Sequence, residues 1–299
     1  MTGTSPSLSI IIPTYNRTEL VVHAVRSALD ALPDGGEIIV TDDRSDPPAS
    51  EALADLSHPA LRVTVNTGAR GAAANRNHAA GQAAGDVLLF LDDDDLMLPD
   101  YPGRILTAAR TAPQSNWGFS ATRAHDASVT APPPPTGKGA QDFRPLAGAP
   151  MRRRMAGLGC GFWIRRATFD AIGGIDEDMT VNEDTDLSLK LLTRGHEPLF
   201  SAQPGVSLLR HGRASLTRGT DLAERMRCFR TLLDRYAGFL ATDPRGHRFL
   251  LRRYLKVTAK HGALRPGLRA ALTEGPPAAR AGNLAFFLGN LALYLPRRR

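Results

Sequence analysis

The chain has 299 residues, of which 42% are hydrophobic and 22% are charged. This composition is typical of a folded globular protein, long enough for one large α/β domain or two smaller ones, and it excludes disorder of the whole chain. Two cysteines, Cys160 and Cys228, are too few for a disulfide framework or a four-thiolate zinc site, so a reducing compartment is expected.

Charge is distributed unevenly along the chain. Residues 225–299 contain 16 Lys and Arg against three acids, a net charge of +13, whereas residues 1–224 have a net charge of −6. The basic part suits contact with an anionic surface or ligand, and a solvated Arg-rich face is the alternative. The polar first residues indicate no signal peptide, and no run of 18 apolar residues predicts a membrane span, so a cytoplasmic location is expected.

Short apolar runs alternate with helical patterns over the first 91 residues. We expect strands at 8–12, 37–41, 61–65 and 87–91, and helices at 18–31 and 72–84. This alternation predicts an α/β fold, in which a mostly parallel Rossmann-like sheet is flanked by helices. Ligands in such sheets bind beyond the carboxyl ends of the strands, and polar clusters follow several of these predicted ends.

The remainder of the chain has a different character. Residues 126–150 include four consecutive prolines and have no periodicity, which predicts a long mobile loop. A second ordered stretch follows, with a helix that begins near Glu183, and the last part of the chain has a helical pattern. We therefore expect a catalytic domain over residues 1–218 and a basic helical extension over residues 219–299.

Four adjacent carboxylates, Asp92 to Asp95, directly follow the fourth predicted strand. Such groups repel one another and raise each other's pKa unless a cation neutralises them. A hard divalent ion such as Mg²⁺ or Mn²⁺ suits carboxylate oxygens at this position. The alternative is an acidic loop that caps the next helix.

A second acidic group, Glu183-Asp184-x-Asp186, opens a predicted helix. Acids in a first turn interact favourably with the helix dipole, which is a structural explanation. The functional explanation is that one of these carboxylates is a general base directed at a substrate hydroxyl. The pattern alone leaves both open.

Smaller polar groups follow the second and third predicted strands. Asp42-Asp43-x-Ser45 forms either a turn or a set of acceptors for ribose hydroxyls and base N–H groups. Arg70 and Arg76 lie in a stretch rich in glycine and alanine, so each either contacts a diphosphate or is a surface cation.

Five motifs occur in a fixed order. They are Ile11-Ile-Pro-Thr-Tyr-Asn-Arg17, Asp42-Asp-x-Ser45, Gly71-x-x-x-Asn-Arg-Asn77, Phe90-Leu-Asp-Asp-Asp-Asp95, and Gly173-Gly-x-Asp176 followed by Glu183-Asp-x-Asp-Leu187. With these motifs the chain resembles the family 2 glycosyltransferases of the GT-A fold over about residues 7–215. Residues 220–299 have no counterpart in this resemblance.

The resemblance implies transfer of a sugar, with inversion, from a nucleoside-diphosphate donor to a hydroxyl of a glycan or lipid-linked acceptor. A UDP-sugar is the expected donor. The residues that the resemblance places around the nucleotide sugar are Pro13, Tyr15, Arg17, Asp42, Asp43, Arg70, Asn75, Arg76, Asp92 and Asp93.

The resemblance also implies a divalent cofactor, Mn²⁺ or Mg²⁺, with Asp94 as a direct ligand. Because all four positions of Asp92 to Asp95 are aspartate, the register is uncertain by one residue. His211 would complete the metal shell or contact the diphosphate, and a structural histidine is the alternative. Arg210 and Arg213 would neutralise the diphosphate, or else they are solvated.

Two further roles concern the acceptor. Asp184 would be the general base, and Glu183 would hold the acceptor or position its loop. Trp163 would stack on an acceptor sugar ring, and simple core packing is the alternative for this side chain.

Three other functions are alternatives to glycosyl transfer. A nucleotidyltransferase would show a glycine-rich, basic phosphate motif near the N-terminus, and Pro13-Thr-Tyr-Asn-Arg17 is not one. A non-catalytic nucleotide-sugar-binding protein would not need the carboxylates of Asp92 to Asp95 and Asp184. Nucleic-acid binding is not expected, because the aromatic residues of the basic region have the spacing of a helical core.

The end of the basic region contains the apolar segment Leu284–Leu295, too short to span a bilayer as a helix. A helix would place these side chains on one side: Leu284, Phe287, Leu288, Leu291 and Leu295. Because Arg297 to Arg299 follow, residues 281–299 are predicted to contact an anionic membrane peripherally, at its inner face. Packing on the catalytic domain, or on a second subunit of a homo-oligomer, is the alternative.

Overall fold

The structure, a computed structural model, describes residues 7–126, 128–131, 143–210 and 221–294. It contains two compact units. The first consists of Met1–Gly148, Ala156–Asp178 and Glu183–Arg213, and the second of Ala149–Met155, Met179–Asn182 and Ala214–Arg299. The domain boundary predicted at residue 218 lies outside the described residues.

All strands of the described residues lie in the first unit and form one sheet. They are β1 (Leu8–Thr14), β2 (Glu37–Asp42), β3 (Leu61–Val65), β4 (Val87–Phe90), β5 (Leu96–Met97), β6 (Trp117–His125), β7 (Phe143–Pro145), β8 (Trp163–Arg165) and β9 (Leu199–Leu209). The strand order is β3-β2-β1-β4-β8-β6-β9-β5, and β7 pairs with β9.

Helices connect these strands. Up to residue 193 they are α1 (Thr18–Ala31), α2 (Ala49–Ala52), α3 (Ala72–Gln82), α4 (Tyr101–Thr111), α5 (Met151–Arg154, in the second unit), α6 (Arg166–Ala171) and α7 (Glu183–Thr193). Val21, Ala24, Val25 and Ala28 of α1 are buried in the core together with side chains of β1, β2 and β4. The predicted α/β fold with helices on the sheet is therefore confirmed.

The parallel part of the sheet consists of β1 to β4. β1 pairs in parallel with β2 and β4, and β2 pairs in parallel with β3. Every residue of β1 and β4 is buried, as expected for strands covered on both faces. Their carboxyl ends meet at one edge, which brings the polar residues after β1, β2 and β4 together.

The other half of the sheet is mixed rather than parallel. β8 runs antiparallel to β4 and β6, and β5 and β7 run antiparallel to β9, whereas β6 and β9 are parallel. The prediction of a mostly parallel sheet therefore holds for β1 to β4, whereas in the other half only the β6–β9 pair is parallel.

Trp163 lies in the core of this mixed half. Its side chain is fully buried, and its indole ring meets the ring of Phe143 edge-on at 5.8 Å between centroids. Gly118 on β6 leaves room for the indole, because a Cβ there would lie 2.8 Å from the indole Nε1. The predicted acceptor-stacking role of Trp163 is therefore wrong, since neither ring face is accessible.

The segment predicted to be a mobile loop, residues 126–150, is partly ordered. Phe143–Pro145 form β7, and the Phe143 ring stacks near the ring of Tyr101, with 6.2 Å between centroids. The loop prediction is wrong for these residues because β7 pairs with β9 and the half-buried Phe143 ring packs against the core. Residues 127 and 132–142 lie outside the described residues.

The second unit is helical. Besides α5 it contains α8 (Leu222–Arg235), α9 (Ala237–Thr242), α10 (Pro244–Lys260), α11 (Leu264–Thr273) and α12 (Pro277–Tyr294). The Asp221 carboxylate accepts the backbone N–H of Ala223 at the start of α8, and the Asp243 carboxylate accepts that of Gly246 in α10. These caps satisfy amides that the helices leave unpaired.

The apolar side predicted for the last helix is divided in the structure. Phe287 is fully buried, whereas Leu288 is 46% exposed. Phe287 packs at Gly267 of α11, where a Cβ would lie 2.2 Å from the ring. The predicted membrane-facing side is therefore wrong as a set, because part of it forms the core of the second unit. Within the described ranges, no helix has the length and apolarity needed to cross a bilayer.

The contact between Gly205 and Tyr101 provides a test of the fold. A Cβ at Gly205 of β9 would lie 2.5 Å from carbons of the Tyr101 ring, whose hydroxyl donates a hydrogen bond to the carbonyl of Gly161. Because the ring is buried and anchored, we expect Gly205→Ala to lower the free energy of unfolding by about 1–3 kcal/mol.

Gly103→Ala is the matched control, because Gly103 lies in α4 beside Tyr101 and a Cβ there meets open space. Its free energy of unfolding should be unchanged or about 0.4–1 kcal/mol higher. Urea unfolding measures both variants, and an equal effect of the two substitutions would contradict this account of the core.

Candidate active site

A cavity of about 360 Å³ opens at the carboxyl edge of the parallel strands, a size suited to a small-molecule site. It lies within the first unit. Its lining residues are Arg76, Asp92, Asp95, Gly157, Leu158, Gly159, Cys160, Glu183, Asp184, Leu208 and Leu209.

Three of the four consecutive aspartates converge. Asp92, Asp94 and Asp95 each bring a carboxylate oxygen to within 4.8 Å of the others. Asp93 points instead to the end of β1, where it accepts the Thr14 hydroxyl at 2.8 Å and the Arg17 guanidinium at 3.0 Å. Asp95, to which the sequence analysis gave no role of its own, is therefore a member of the cluster, and Asp93 is a buried support.

Two arginines hold these carboxylates in place. The Arg17 guanidinium lies 2.6 Å from the Asp94 carboxylate. The Arg76 guanidinium lies 2.6 Å from Asp92 and 3.5 Å from Glu183, at the start of α7. Burial opposes the charge of both arginines, but the neighbouring carboxylates outweigh it and raise both pKa values. Both guanidiniums are therefore charged parts of the site.

The site keeps an excess of negative charge. Burial raises the pKa of Asp93 to about 6 and that of Glu183 to about 7, in each case against the effect of an arginine. Burial, followed by repulsion from Asp92 and Asp94, also raises the pKa of Asp95. Carboxylates that resist ionisation in this way indicate a place where an added cation would be stabilised.

The donor set fits a hard divalent cation. Asp92, Asp94 and Asp95 offer only carboxylate oxygens, which Mg²⁺ and Mn²⁺ prefer over nitrogen or sulfur. The oxygens are close enough together for one ion to contact all three after small side-chain movements. These residues are therefore the ones that could hold a metal.

Two glycines bring the backbone against these carboxylates. A Cβ at Gly159 would lie 2.6 Å from Oδ2 of Asp92 and 3.4 Å from Oδ2 of Asp95. A Cβ at Gly157 would lie 3.4 Å from Oδ2 of Asp184, which is an ordinary contact. The sequence analysis missed both, although the repeated glycines just before Cys160-Gly-Phe-Trp163 were a signal of close backbone approach.

Asp184 differs from its acidic neighbours. Its Oδ1 accepts the backbone N–H of Thr185 at 2.5 Å, and Oδ2 lies at the cavity beside Gly157. Glu183 contacts Arg76, and Asp186 is fully buried 3.5 Å from Lys190. Among the described residues, Asp184 is therefore the member of this group that has a carboxylate oxygen at the cavity and forms no ion pair with an arginine.

Asp42 and Asp43 are engaged in shaping loops. The Asp42 carboxylate accepts the backbone N–H and the hydroxyl of Ser45, and also the backbone N–H of Ala49 at 2.9 Å. The Asp43 carboxylate accepts the Asn66 amide at 3.0 Å and the Gly71 N–H at 2.8 Å. Both side chains are buried, so their direct contact with a nucleotide stays a prediction.

The other residues predicted around the nucleotide fall into two groups. Pro13 and Asn75 are buried, and the Asn75 amide donates to the carbonyls of Thr41 and Thr14. Tyr15 is 48% exposed, and the exposed Arg70 places its guanidinium 5.9 Å from the Tyr15 ring centroid. Pro13 and Asn75 therefore support the site from the interior, whereas Tyr15 and Arg70 are exposed to solvent.

Residues after β9 complete the predicted set. Arg210 is exposed, and its backbone N–H donates to the carbonyl of His125. His211 and Arg213 lie outside the described residues, so their predicted contacts with a metal or a diphosphate stay predictions.

Comparisons with known proteins agree with this geometry. Residues 9–148 match the model of glycosyl transferase family 2. The chain is 30% identical over 204 residues to an uncharacterized glycosyltransferase of Haemophilus influenzae, covering 65% of this chain and 64% of that protein. It is 33% identical over 213 residues to the succinoglycan biosynthesis protein ExoU of Rhizobium meliloti, covering 65% and 60%.

A shorter match concerns a lipid-linked acceptor. The chain is 34% identical over 96 residues to the GalNAc(5)-diNAcBac-PP-undecaprenol beta-1,3-glucosyltransferase of Campylobacter jejuni, and these residues are 31% of each protein. The structure also resembles S. aureus TarS 1-349 in complex with UDP-GlcNAc, with a TM-score of 0.61 and 15% identity over 95% of this chain and 89% of that chain.

These matches confirm the resemblance drawn from the motifs. Over residues 9–148 the chain matches glycosyl transferase family 2, and its fold is similar to that of TarS. Its relatives are glycosyltransferases and proteins of polysaccharide or lipid-linked glycan synthesis. The chain spans less than two thirds of the length of the first two relatives described above.

Gly159 provides a test of the carboxylate cluster. A methyl group there would displace the Asp92 carboxylate, which Arg76 holds from the other side. We expect Gly159→Ala to weaken Mn²⁺ binding by roughly 10- to 100-fold, the range for loss of support around a metal ligand. Titration calorimetry with Mn²⁺ measures the effect.

Gly157→Ala is the control, because its added Cβ makes an ordinary contact with Asp184. It should bind Mn²⁺ like the unmodified chain. Equal Mn²⁺ affinity in the Gly159→Ala variant would mean that Asp92 does not take part in metal binding.

Proposed function

We propose that this chain transfers a sugar, with inversion at the anomeric carbon, from a nucleoside-diphosphate donor to a hydroxyl of a glycan or lipid-linked acceptor. The observation that carries the proposal is one cavity lined by two acidic groups: Asp92 and Asp95, which cluster with Asp94, and the separate carboxylate of Asp184. A UDP-sugar is the proposed donor, because TarS, which has the same fold, is described in complex with UDP-GlcNAc.

Asp92, Asp94 and Asp95 would hold a divalent cofactor, Mn²⁺ or Mg²⁺. When bound, such an ion neutralises the charge that develops on a leaving diphosphate. Arg17 and Arg76 keep these carboxylates oriented towards one another before donor and ion arrive. His211 remains a proposed further ligand.

Asp184 is the proposed general base. Its Oδ2 would take the proton of the acceptor hydroxyl while that oxygen bonds to the anomeric carbon, and the bond from this carbon to the diphosphate oxygen breaks. Attack from the face opposite the diphosphate inverts the configuration. Glu183, which contacts Arg76, would position the loop and the acceptor instead of taking the proton.

The nucleotide would contact the exposed surface of Tyr15 and Arg70 at the ends of β1 and β3. The aromatic ring offers a stacking face for a base, and the guanidinium can pair with a phosphate. Four other residues would contribute mainly by fixing the loops that carry this surface: Pro13, Asn75, Asp42 at the end of β2, and Asp43 directly after it.

We place the reaction at the cytoplasmic face of a membrane, with the chain attached peripherally. The support is the Campylobacter jejuni relative, whose name gives a diphosphoundecaprenol-linked acceptor, and the basic charge of residues 225–299. A homo-oligomer stays a prediction.

Metal-dependent donor binding is tested with Asp94→Ala. Removal of a direct ligand should weaken UDP binding in the presence of Mn²⁺ by on the order of 10²-fold or more, because loss of a mere supporting group already costs 10- to 100-fold. The fold should persist, since Arg17 keeps its contact with Asp93. Calorimetry with UDP, GDP and TDP measures the affinities.

Asp55→Ala, on an exposed turn, is the control for loss of one carboxylate and should bind as the unmodified chain does. Unchanged affinity for all three nucleotides in the Asp94→Ala variant would contradict the proposal that Asp94 is a metal ligand.

The base is tested with Asp184→Asn, which keeps the shape of the side chain but removes its basicity. Turnover should fall by roughly 10²- to 10⁴-fold while donor affinity stays within about twofold. The assay follows UDP release from a nucleotide sugar chosen by screening for thermal stabilisation with Mn²⁺.

Glu183→Gln tests whether the neighbouring carboxylate is the general base instead. It should reduce turnover less than Asp184→Asn does. The opposite order would identify Glu183 as the base. Wild-type turnover in both variants would instead favour a protein that binds nucleotide sugars without acting on them through these groups.

A further inference from the structure

The outward side of α12 is apolar. Its exposed positions are Ala281, Gly282, Ala285, Leu288, Gly289, Ala292 and Leu293. Leu288 is 46% exposed and Leu293 is 68% exposed. The opposite side holds the buried Phe287. A helix that is apolar all round is normally covered on both sides, so the outward side is expected to meet a partner.

The neighbouring helix α11 also exposes large apolar side chains. Leu264 and Leu272 are 47% and 48% exposed. α11 and α12 approach closely where Gly267 meets Phe287. Four of the seven large exposed hydrophobic side chains in the described residues therefore lie on these two helices, and such clustering marks an interaction surface.

A row of cations borders this surface. Five of the six exposed basic residues of α10 recur every three or four positions, which places them along one side: Arg245, Arg248, Arg252, Lys256 and Lys260. The Arg252 guanidinium lies 4.9 Å from the ring centroid of Phe286 on α12. Among the described residues, no carboxylate forms an ion pair with any of these five. Arg265 and Arg269 on α11 are exposed as well.

We infer that the outward side of α12, the exposed leucines of α11 and the basic row of α10 together bind an anionic lipid bilayer. We call these residues the α10–α12 surface. The leucines and alanines would enter the boundary between headgroups and acyl chains, with α12 parallel to the membrane. The arginines and lysines would contact lipid phosphates.

Charge favours a lipid surface over a second copy of the chain. A symmetric dimer through the α10–α12 surface would bring two basic rows together, and like charges at an interface are unfavourable. An anionic membrane instead provides negative charge beside an apolar layer. The inference rests on the proposed function only for the lipid-linked acceptor that would make membrane attachment useful.

The cationic part is tested by co-sedimentation of the full chain with phosphatidylcholine vesicles, with and without phosphatidylglycerol, at low salt. The variant Arg245→Gln/Arg248→Gln/Lys256→Gln keeps Arg252, which packs on Phe286. One basic side chain near an anionic surface is worth about a fivefold change in partition, so the three together should lower binding to phosphatidylglycerol vesicles about 100-fold.

Arg26→Gln/Arg110→Gln/Arg194→Gln removes the same charge from exposed positions of the first unit and is the matched control. It should bind like the unmodified chain. Equal loss of binding in the two triple variants would overturn the α10–α12 surface, as would failure of the unmodified chain to bind phosphatidylglycerol vesicles.

The apolar part is tested with Leu288→Gln/Leu293→Gln. Both side chains are exposed, so folding, checked by circular dichroism, should be unaffected. Vesicle binding should fall at least tenfold, because burial of two leucines is lost. If ultracentrifugation shows a dimer that this variant dissociates, while vesicle binding is unchanged, a second copy covers the surface and the inference is wrong.

Asp184→Asn separates this inference from the proposed function. It should bind phosphatidylglycerol vesicles like the unmodified chain whatever its turnover. Vesicle binding can therefore be interpreted even if no glycosyl transfer is detected. Loss of vesicle binding in this variant would contradict a membrane surface on α10 to α12.

Discussion

Repulsion among carboxylates is the constraint around which the first unit is arranged. Six acidic side chains, Asp92 to Asp95, Glu183 and Asp184, come from two separate parts of the chain. Arg17 pairs with Asp93 and Asp94, and Arg76 pairs with Asp92 and Glu183. Loss of such a partner from a buried carboxylate strongly destabilises the folded state, so both arginines must be placed accurately. The positions of the loop after β1 and of α3 are therefore tied to the charge of the cavity.

Asn75 shows how the fold meets that requirement. Its amide donates to the carbonyls of Thr41 and Thr14, which fastens α3 to the ends of β2 and β1. The next residue, Arg76, then reaches Asp92 and Glu183 from a buried position. A residue that sequence comparison groups with nucleotide contacts thus acts on the site through the arginine beside it.

The sequence predicts the parts of the fold that depend on local patterns. The strands β1 to β4 and helices α1, α3 and α7 were anticipated because each has its own periodicity and end signals. The short strands β7 and β8 were not, because antiparallel pairing with distant strands decides them. Burial of Trp163 depends on the space left by Gly118 and on the ring of Phe143, which no local pattern reveals.

The site was predictable to a similar degree. The acidic run after β4 indicated a cation site, but the turn of the backbone decides that Asp95 joins the cluster while Asp93 faces Thr14. Gly159 was missed because its role appears only where its backbone meets Asp92. In the last helix, the apolar spacing was visible, but the choice of the buried side depends on Gly267 of the neighbouring helix.

The net charge of +7 conceals two opposite excesses with different physical consequences. In the first unit, the surplus of acid is concentrated in a cavity, where burial keeps it poorly solvated and able to attract a cation. In the second unit, the acids are used in ion pairs such as those of Arg230 with Asp234 and Glu274, and of Arg227 with Glu224. The unmatched cations therefore accumulate along α10, beside an apolar helix face. A basic surface that merely kept the protein in solution would not need leucines exposed next to it, and this combination is why a lipid surface explains the second unit better than solvation alone.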